Sequence, residues 1–103
     1  MCGIAGIIST NQHLHTQAVL QKMADSLQHR GPDGNGSYTH STVSLVHTRL
    51  SIIDPSLGKQ PMLSADKNLA ITFNGEIYNY KELKAELRHS GFTFNTDSDT
   101  EVI

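Results

Sequence analysis

The only cysteine in this 103-residue chain is Cys2. If Met1 is removed, one residue carries both a thiol and a free α-amine, which is a nucleophile with its own base attached. Free α-amines and thiols in general titrate within about one pH unit of each other, near pH ~8. A proton can therefore pass between two such groups around neutrality. The bland alternative is a small buried hydrophobe. Two further stretches suit a polar small molecule. Asn74-Gly75-Glu76 offers a side-chain amide, a glycine N–H and a carboxylate, and the first two can donate together to a developing oxyanion. Asn-Gly is also a hairpin signal, but a helical pattern follows it rather than a partner strand. Arg49 is either a surface charge or a carboxylate clamp, where its planar fork makes two parallel hydrogen bonds.

Other candidate motifs fail on spacing. Gly31 to Gly36 looks like a phosphate-cradling loop, yet no Gly-Lys-Ser/Thr follows it, and Gly58-Lys59 is followed by Gln60. His13-x-His15 has no cysteine or carboxylate at metal-ligand spacing, so no metal site is expected. His29, His40, His47 and His89 are scattered and read as structural.

These residues need elements to hold them. Gly3 to Ile8 is apolar, β-branched and broken by small residues, which predicts a buried strand starting directly after Cys2. Val19, Leu20, Met23, Ala24 and Leu27 recur at helical spacing behind Thr16 as N-cap, so a helix is expected to about Gln28. His29 to Gly36 is turn-forming. Ser37–His40 and Val43–His47 read as a hairpin. Arg49 to Asp54 is strand-like and ends at Asp54-Pro55. Leu69 to Phe73 reads as a strand stopping at Asn74-Gly75.

The spacing then predicts a helix over Tyr80 to His89, with Leu83 and Leu87 on one face. Lys81, Glu82, Lys84, Glu86 and Arg88 are placed around the other face, Asn79 as the cap and Gly91 as the stop. Phe92-Thr93-Phe94 reads as a short strand. Ser98-Asp99-Thr100-Glu101 has the capping-box pattern that opens a helix. A helix start with two residues left reads as part of a longer sequence. The order is βα, several strands, then αβ(α), a mixed α+β class rather than repeated βαβ units.

Bulk properties narrow the partners. A chain this long supports one domain. With 37% hydrophobic and 17% charged residues and a net charge of −2, nothing points to nucleic acid or an anionic membrane. No apolar run approaches the ~20 residues of a membrane span, and the start lacks the pattern of a signal peptide. One cysteine forms no internal disulfide, which fits a reducing cytoplasm.

Six blocks in register then resemble one family. They are Met1-Cys2-Gly3-Ile4-Ala5-Gly6, His29-Arg30-Gly31-Pro32-Asp33, Arg49-Leu50-Ser51-Ile52-Ile53-Asp54, Gln60-Pro61-Met62, Asn74-Gly75-Glu76-Ile77-Tyr78-Asn79 and Ser98-Asp99-Thr100-Glu101-Val102-Ile103. Together they resemble the N-terminal glutaminase domain of glutamine-hydrolysing asparagine synthetases, within the class II, N-terminal-nucleophile amidotransferases. The resemblance covers essentially the whole chain, residues 1–103, as the first part of a type 2 glutamine amidotransferase domain. It implies an αββα sandwich of two antiparallel sheets with helices outside.

It also implies roles. Cys2 matches the nucleophile after methionine removal, and Asn74 with Gly75 the oxyanion hole. Arg49 matches the residue that binds the α-carboxylate of glutamine. Glu76 and Asp99 match the acids around its α-ammonium. The backbone around Leu50, Ile52 and Ile53 matches the pocket lining, and Arg30 to Asp33 a loop that orders the nucleophile. Implied for a further, synthetase domain are ATP and magnesium, with none in this chain. Homodimerisation of the longer parent is a further expectation. Two other readings stay open on the residues: the same glutaminase serving a different acceptor domain, and a non-catalytic module of this fold with Met1 retained.

Overall fold

A computed structural model describes residues 1–50 and 58–103. Its organising element is the strand Val43–Arg49 (β3), which runs between Gly3–Ile8 (β1) and Gly34–His40 (β2). Both pairings are antiparallel. Gly3 faces Thr48 and Ile8 faces Val43 on one side, while Gly34 faces Arg49 and His40 faces Val43 on the other. A two-residue turn, Ser41-Thr42, closes β2 on β3, with Ser41 in the left-handed region at φ 52°.

Strand alternation sends successive side chains to opposite faces. Ser44, Val46 and Thr48 are buried on one face, where Ala5 and Ile7 of β1 join them. The helix Gln17–Ser26 (α1) covers that face. Its Leu20 and Ala24, four apart and so on one stripe, pack with Val46, and Met23 adds to the cluster. Thr16 caps α1 by accepting from the Val19 N–H at 3.4 Å. At the other end the Leu27 carbonyl accepts from the Thr48 hydroxyl at 3.2 Å, tying the helix terminus to β3.

The buried polar groups on this face are matched. His15 Nε2 donates to the Ser9 carbonyl at 2.9 Å, which leaves Nδ1 to accept from Ser44 at 2.7 Å. Ser44 in turn takes the Thr39 hydroxyl at 2.8 Å. The opposite face carries Ile4 and Ile8, which are 46% and 86% exposed. A radius of gyration of 14.6 Å exceeds the ~13 Å typical of a compact chain of about this length. The core is accordingly thin, with a helix packed on one sheet face among the described residues.

The second part is smaller. Met62–Leu63 (β4) pairs antiparallel with Ala70–Ile71 (β5). Between them Asp66 accepts from Ser64 and Asn68, closing the turn. The helix Tyr80–His89 (α2) ends at Gly91, where φ is 95°. It packs on a 3-10 turn, Asp99–Val102.

Several expectations are corrected here. Lys84 belongs to the inner side of α2, not its outer face. Its Nζ donates to the Thr96 carbonyl at 2.5 Å, lies 3.3 Å from Asp97 and stands 5.2 Å from the Phe94 ring centre. Three partners offset the desolvation that would otherwise keep a lysine outside. Asn79 makes no side-chain cap bond. Phe92-Thr93-Phe94 forms no strand; the Phe94 ring instead takes Lys84 and, at 5.7 Å, the Arg88 guanidinium. Only Ala70–Ile71 of the Leu69–Phe73 run is strand.

The expected capping box is also altered. Ser98 accepts from Thr100 N–H at 3.2 Å, but Glu101 reaches past Ser98 to Asn95 N–H at 2.7 Å and to the amide and hydroxyl of Thr96 at 2.8 and 2.6 Å. β2 starts at Gly34 and β3 runs on to Arg49, both longer than the hairpin read from the sequence. Ser51 to Asp54 of the expected strand lie outside the described residues. Among the described residues the architecture is α+β, with antiparallel sheets and two α-helices.

Candidate active site

The expected site residues fall into two groups. The first gathers at the end of the three-stranded sheet. Cys2 immediately precedes β1, and Arg49 closes β3 one residue beyond Thr48, the partner of Gly3. The nucleophile candidate and the carboxylate-clamp candidate therefore stand at adjacent ends of paired strands. Cys2 is half-buried, and its carbonyl accepts from Arg30 Nε at 3.1 Å. The close approach needs Gly3: a Cβ there would lie 2.6 Å from Thr48 Oγ1 and 3.0 Å from Leu27 Cβ.

The loop before β2 locks the same end. Pro32 bridges to Arg49, and Asp33 N–H donates to the Arg49 carbonyl at 2.9 Å. Gly31 is buried with the backbone of Thr48 and Arg49 where its side chain would be. Met1, His29, Arg30, Pro32 and Leu50 line an open cleft of about 430 Å³ here. Met1 itself is 70% exposed. Ile52 and Ile53 lie outside the described residues.

The second group follows β5. Asn74 is half-buried, and Gly75 and Glu76 are exposed. Gly75 lies against the Phe73 ring, since a Cβ would sit 2.6 Å from its Cζ. Asp99 joins them by accepting the Ile77 N–H at 2.8 Å through Oδ2. One contact thus puts Asp99 beside the residue after Glu76, and two acids from distant stretches share a locale.

One side chain links the two groups, and another ties the parts of the second group together. His47 Nδ1 meets Thr72 Oγ1 at 2.9 Å. Gln60 Oε1 accepts the Phe73 N–H at 2.6 Å, and its Nε2 donates to Thr100 Oγ1 at 3.2 Å. Burial holds the His47 pKa below 6.5, and the charge of Arg49 acts in the same direction. For Glu101, burial raises the pKa, but the hydrogen bonds from Asn95 and Thr96 and the charge of Lys84 outweigh it and leave the group lowered.

Sequence does not single out Gln60 or Thr72 as site residues. The Gln60-Pro61-Met62 block assigns Gln60 no role, and a hydroxyl inside an apolar run carries no signal of its partner. Among the described residues, no group of three His, Cys, Asp or Glu could hold a metal ion, and no helix is long and apolar enough to cross a membrane.

Comparison with known proteins follows the same lines. The chain is 44% identical over its whole length to asparagine synthetase [glutamine-hydrolyzing] 1 of Bacillus subtilis. It is 43% identical to the asparagine synthetase [glutamine-hydrolyzing] of Zea mays and 40% identical to that named 1 of Arabidopsis thaliana, again over all of this chain. It spans 17% of the length of the first two and 18% of the third. The family model for a glutamine amidotransferase domain matches residues 1–103. With that match running the length of the sequence, the chain belongs to the glutamine amidotransferase domain family.

Proposed function

We propose that this chain carries the glutamine-hydrolysing site of a longer asparagine synthetase, working in a reducing cytoplasm. The observation that carries the reading is the family match over residues 1–103. Supporting it, Cys2 and Arg49 stand at neighbouring strand ends, and Asp99 is bonded next to Glu76. The fold in this reading is the first part of an αββα sandwich, with residues 1–103 the opening of a type 2 amidotransferase domain.

Glutamine is zwitterionic, so a selective site needs a cation for one end and acids for the other. Arg49 would take the α-carboxylate through its fork, and Glu76 and Asp99 the α-ammonium. Leu50, Ile52 and Ile53 would line the chain of the substrate, leaving its neutral amide at Cys2. With Met1 removed, the thiol proton passes to the α-amine and sulfur attacks the amide carbon. Asn74 and the Gly75 N–H stabilise the oxyanion; one such donor is typically worth about 10²–10³ in rate. The C–N bond then breaks, and the nitrogen takes the proton and leaves as ammonia. Water adds to the γ-glutamyl thioester, releasing glutamate and restoring the thiol. Ammonia serves the ATP-dependent conversion of aspartate to asparagine in the synthetase domain, in a homodimeric parent. ATP and magnesium act there; this chain's Gly58-Lys59-Gln60 does not fit a phosphate loop.

The test uses the full-length protein and a glutamine-analogue diazoketone. Mass mapping should find one adduct, on Cys2 with Met1 absent. Cys2→Ala should release no ammonia from glutamine and still make asparagine from free ammonium. Undiminished ammonia release by Cys2→Ala overturns the reading. Asparagine-independent transfer to another acceptor would leave the glutaminase and reassign the partner domain.

A further inference from the structure

We infer that Gln60 is a positioning residue that sets the distance between the oxyanion-hole and ammonium-binding halves of the glutamine site. This rests on the roles proposed above for Asn74, Gly75 and Asp99. Gln60 touches none of the reacting atoms. Its side chain spans two segments that are 27 residues apart in sequence: Oε1 holds the N–H of Phe73, and Nε2 holds the hydroxyl of Thr100. Each partner is the immediate neighbour of a site residue. Phe73 precedes Asn74, and Thr100 follows Asp99.

The amide is the right group for this span. Phe73 N–H can only donate, so it fixes the oxygen of Gln60 on its side, and the nitrogen must then face Thr100. Thr100 is 3% exposed, so its hydroxyl has little water to fall back on, and an unmet buried polar group is costly.

Gln60 also lies close against the sheet whose strand ends hold Cys2 and Arg49. Its backbone carbonyl lies where a side chain at Gly36 would be, and Gly36 pairs with His47. Two residues earlier, Gly58 at φ 78° runs close to Ser98, whose Oγ would lie 2.7 Å from a Cβ there. The segment from Gly58 to Gln60 thus threads between β2 and the 3-10 turn that bears Asp99. His47 adds a parallel tie through Thr72, one residue before Phe73. The sheet, the Asn74 segment and the Asp99 turn thus meet at one residue, the sheet at its backbone carbonyl and the other two at its side chain.

The consequence is specific. Losing the Phe73 bond loosens the donors aimed at the oxyanion, which enters kcat. Losing the Thr100 bond loosens Asp99, which enters KM for glutamine. A misplacement of about 1 Å can cost on the order of 10²-fold.

The experiment uses the full-length protein and three variants. Gln60→Met keeps length and removes both bonds. Thr100→Val removes one end. Gln60→Glu keeps an acceptor for Phe73 and lets the Thr100 hydroxyl donate to the second oxygen. Ammonia release from glutamine, asparagine formation from free ammonium, and diazoketone labelling of Cys2 are measured on each.

Expected for Gln60→Met is a fall of about 10–100-fold in kcat/KM for glutamine, shared between kcat and KM, with slower but still stoichiometric labelling. Thr100→Val should shift mainly KM, and Gln60→Glu should recover most of the loss. Ammonium-dependent synthesis should stay within about twofold throughout. Glutamine kinetics unchanged in both Gln60→Met and Thr100→Val would overturn the inference. So would equal loss of the glutamine- and ammonium-dependent reactions, or no recovery in Gln60→Glu. Failure of the glutaminase assignment is read separately, from ammonia release by Cys2→Ala.

Discussion

Replacing Gly31 with alanine should disable the carboxylate clamp proposed at Arg49 without substituting a charged residue. The new Cβ would lie 2.4 Å from the Thr48 carbonyl carbon and the Arg49 nitrogen, where ordinary contact begins at 3.4 Å. The loop must retreat by about 1 Å, because the opposing atoms are β3 backbone, with Thr48 paired on both sides, and cannot yield. That retreat strains the Asp33 N–H bond to the Arg49 carbonyl and the Pro32–Arg49 bridge. Overpacking of this kind costs about 1–3 kcal/mol, and a weakened backbone hydrogen bond about 0.5–1.5. A local loss of about 2–4 kcal/mol is expected. Amide exchange at Asp33 should accelerate accordingly. KM for glutamine in the full-length protein should rise about 10–100-fold if Arg49 binds the substrate carboxylate as proposed. Gly6→Ala is the control: its nearest neighbours would stand 3.4 Å away, and both readouts should hold. Unchanged Asp33 exchange and KM in Gly31→Ala would refute the idea that this loop sets Arg49.

Two other outcomes are expected. Val46→Ala removes two methyls from the position facing α1, where the side chain is 1% exposed. It should cost about 2 kcal/mol in urea unfolding followed by a probe on α1, and a cost below about 0.5 would argue against a core centred there. His47 gives a pH dependence. Its folded pKa lies below the 6.5 of the unfolded chain, so its contribution is complete above 6.5 and is lost as pH falls from there through the lowered value. Unfolding midpoints should drop over that window, and His47→Gln should flatten the acid limb. An identical limb in the variant would assign the dependence to other groups.

Much of the scaffold is legible in the sequence because its signals are local. β1, the hairpin, α1 with its Thr16 cap and α2 with its Gly91 stop each follow from periodicity and terminal residues within one segment. Lys84 is not legible, because its burial depends on Thr96, Asp97 and Phe94 arriving from beyond the helix. The same distance effect defeats the Phe92–Phe94 strand and the capping box. The candidate site divides likewise. Cys2, Arg49 and Asn74-Gly75-Glu76 announce themselves by residue type. That Gln60 and His47 connect their segments follows only from strand register and side-chain reach, which no spacing rule encodes.

The hairpin turn at Ser41-Thr42 also decides where this chain can vary in length. Strands advance about 3.3 Å per residue, so the seven residues of β3 put that turn on the order of 20 Å from Arg49. Ser41 occupies a left-handed backbone position, as tight hairpin turns favour. Inserted loops, affinity epitopes or reporter dyes belong at this end. One residue added within β1 would instead turn each later side chain to the opposite face, carrying Ala5 and Ile7 away from α1. Length change is cheap at one end of the sheet and ruinous at the other.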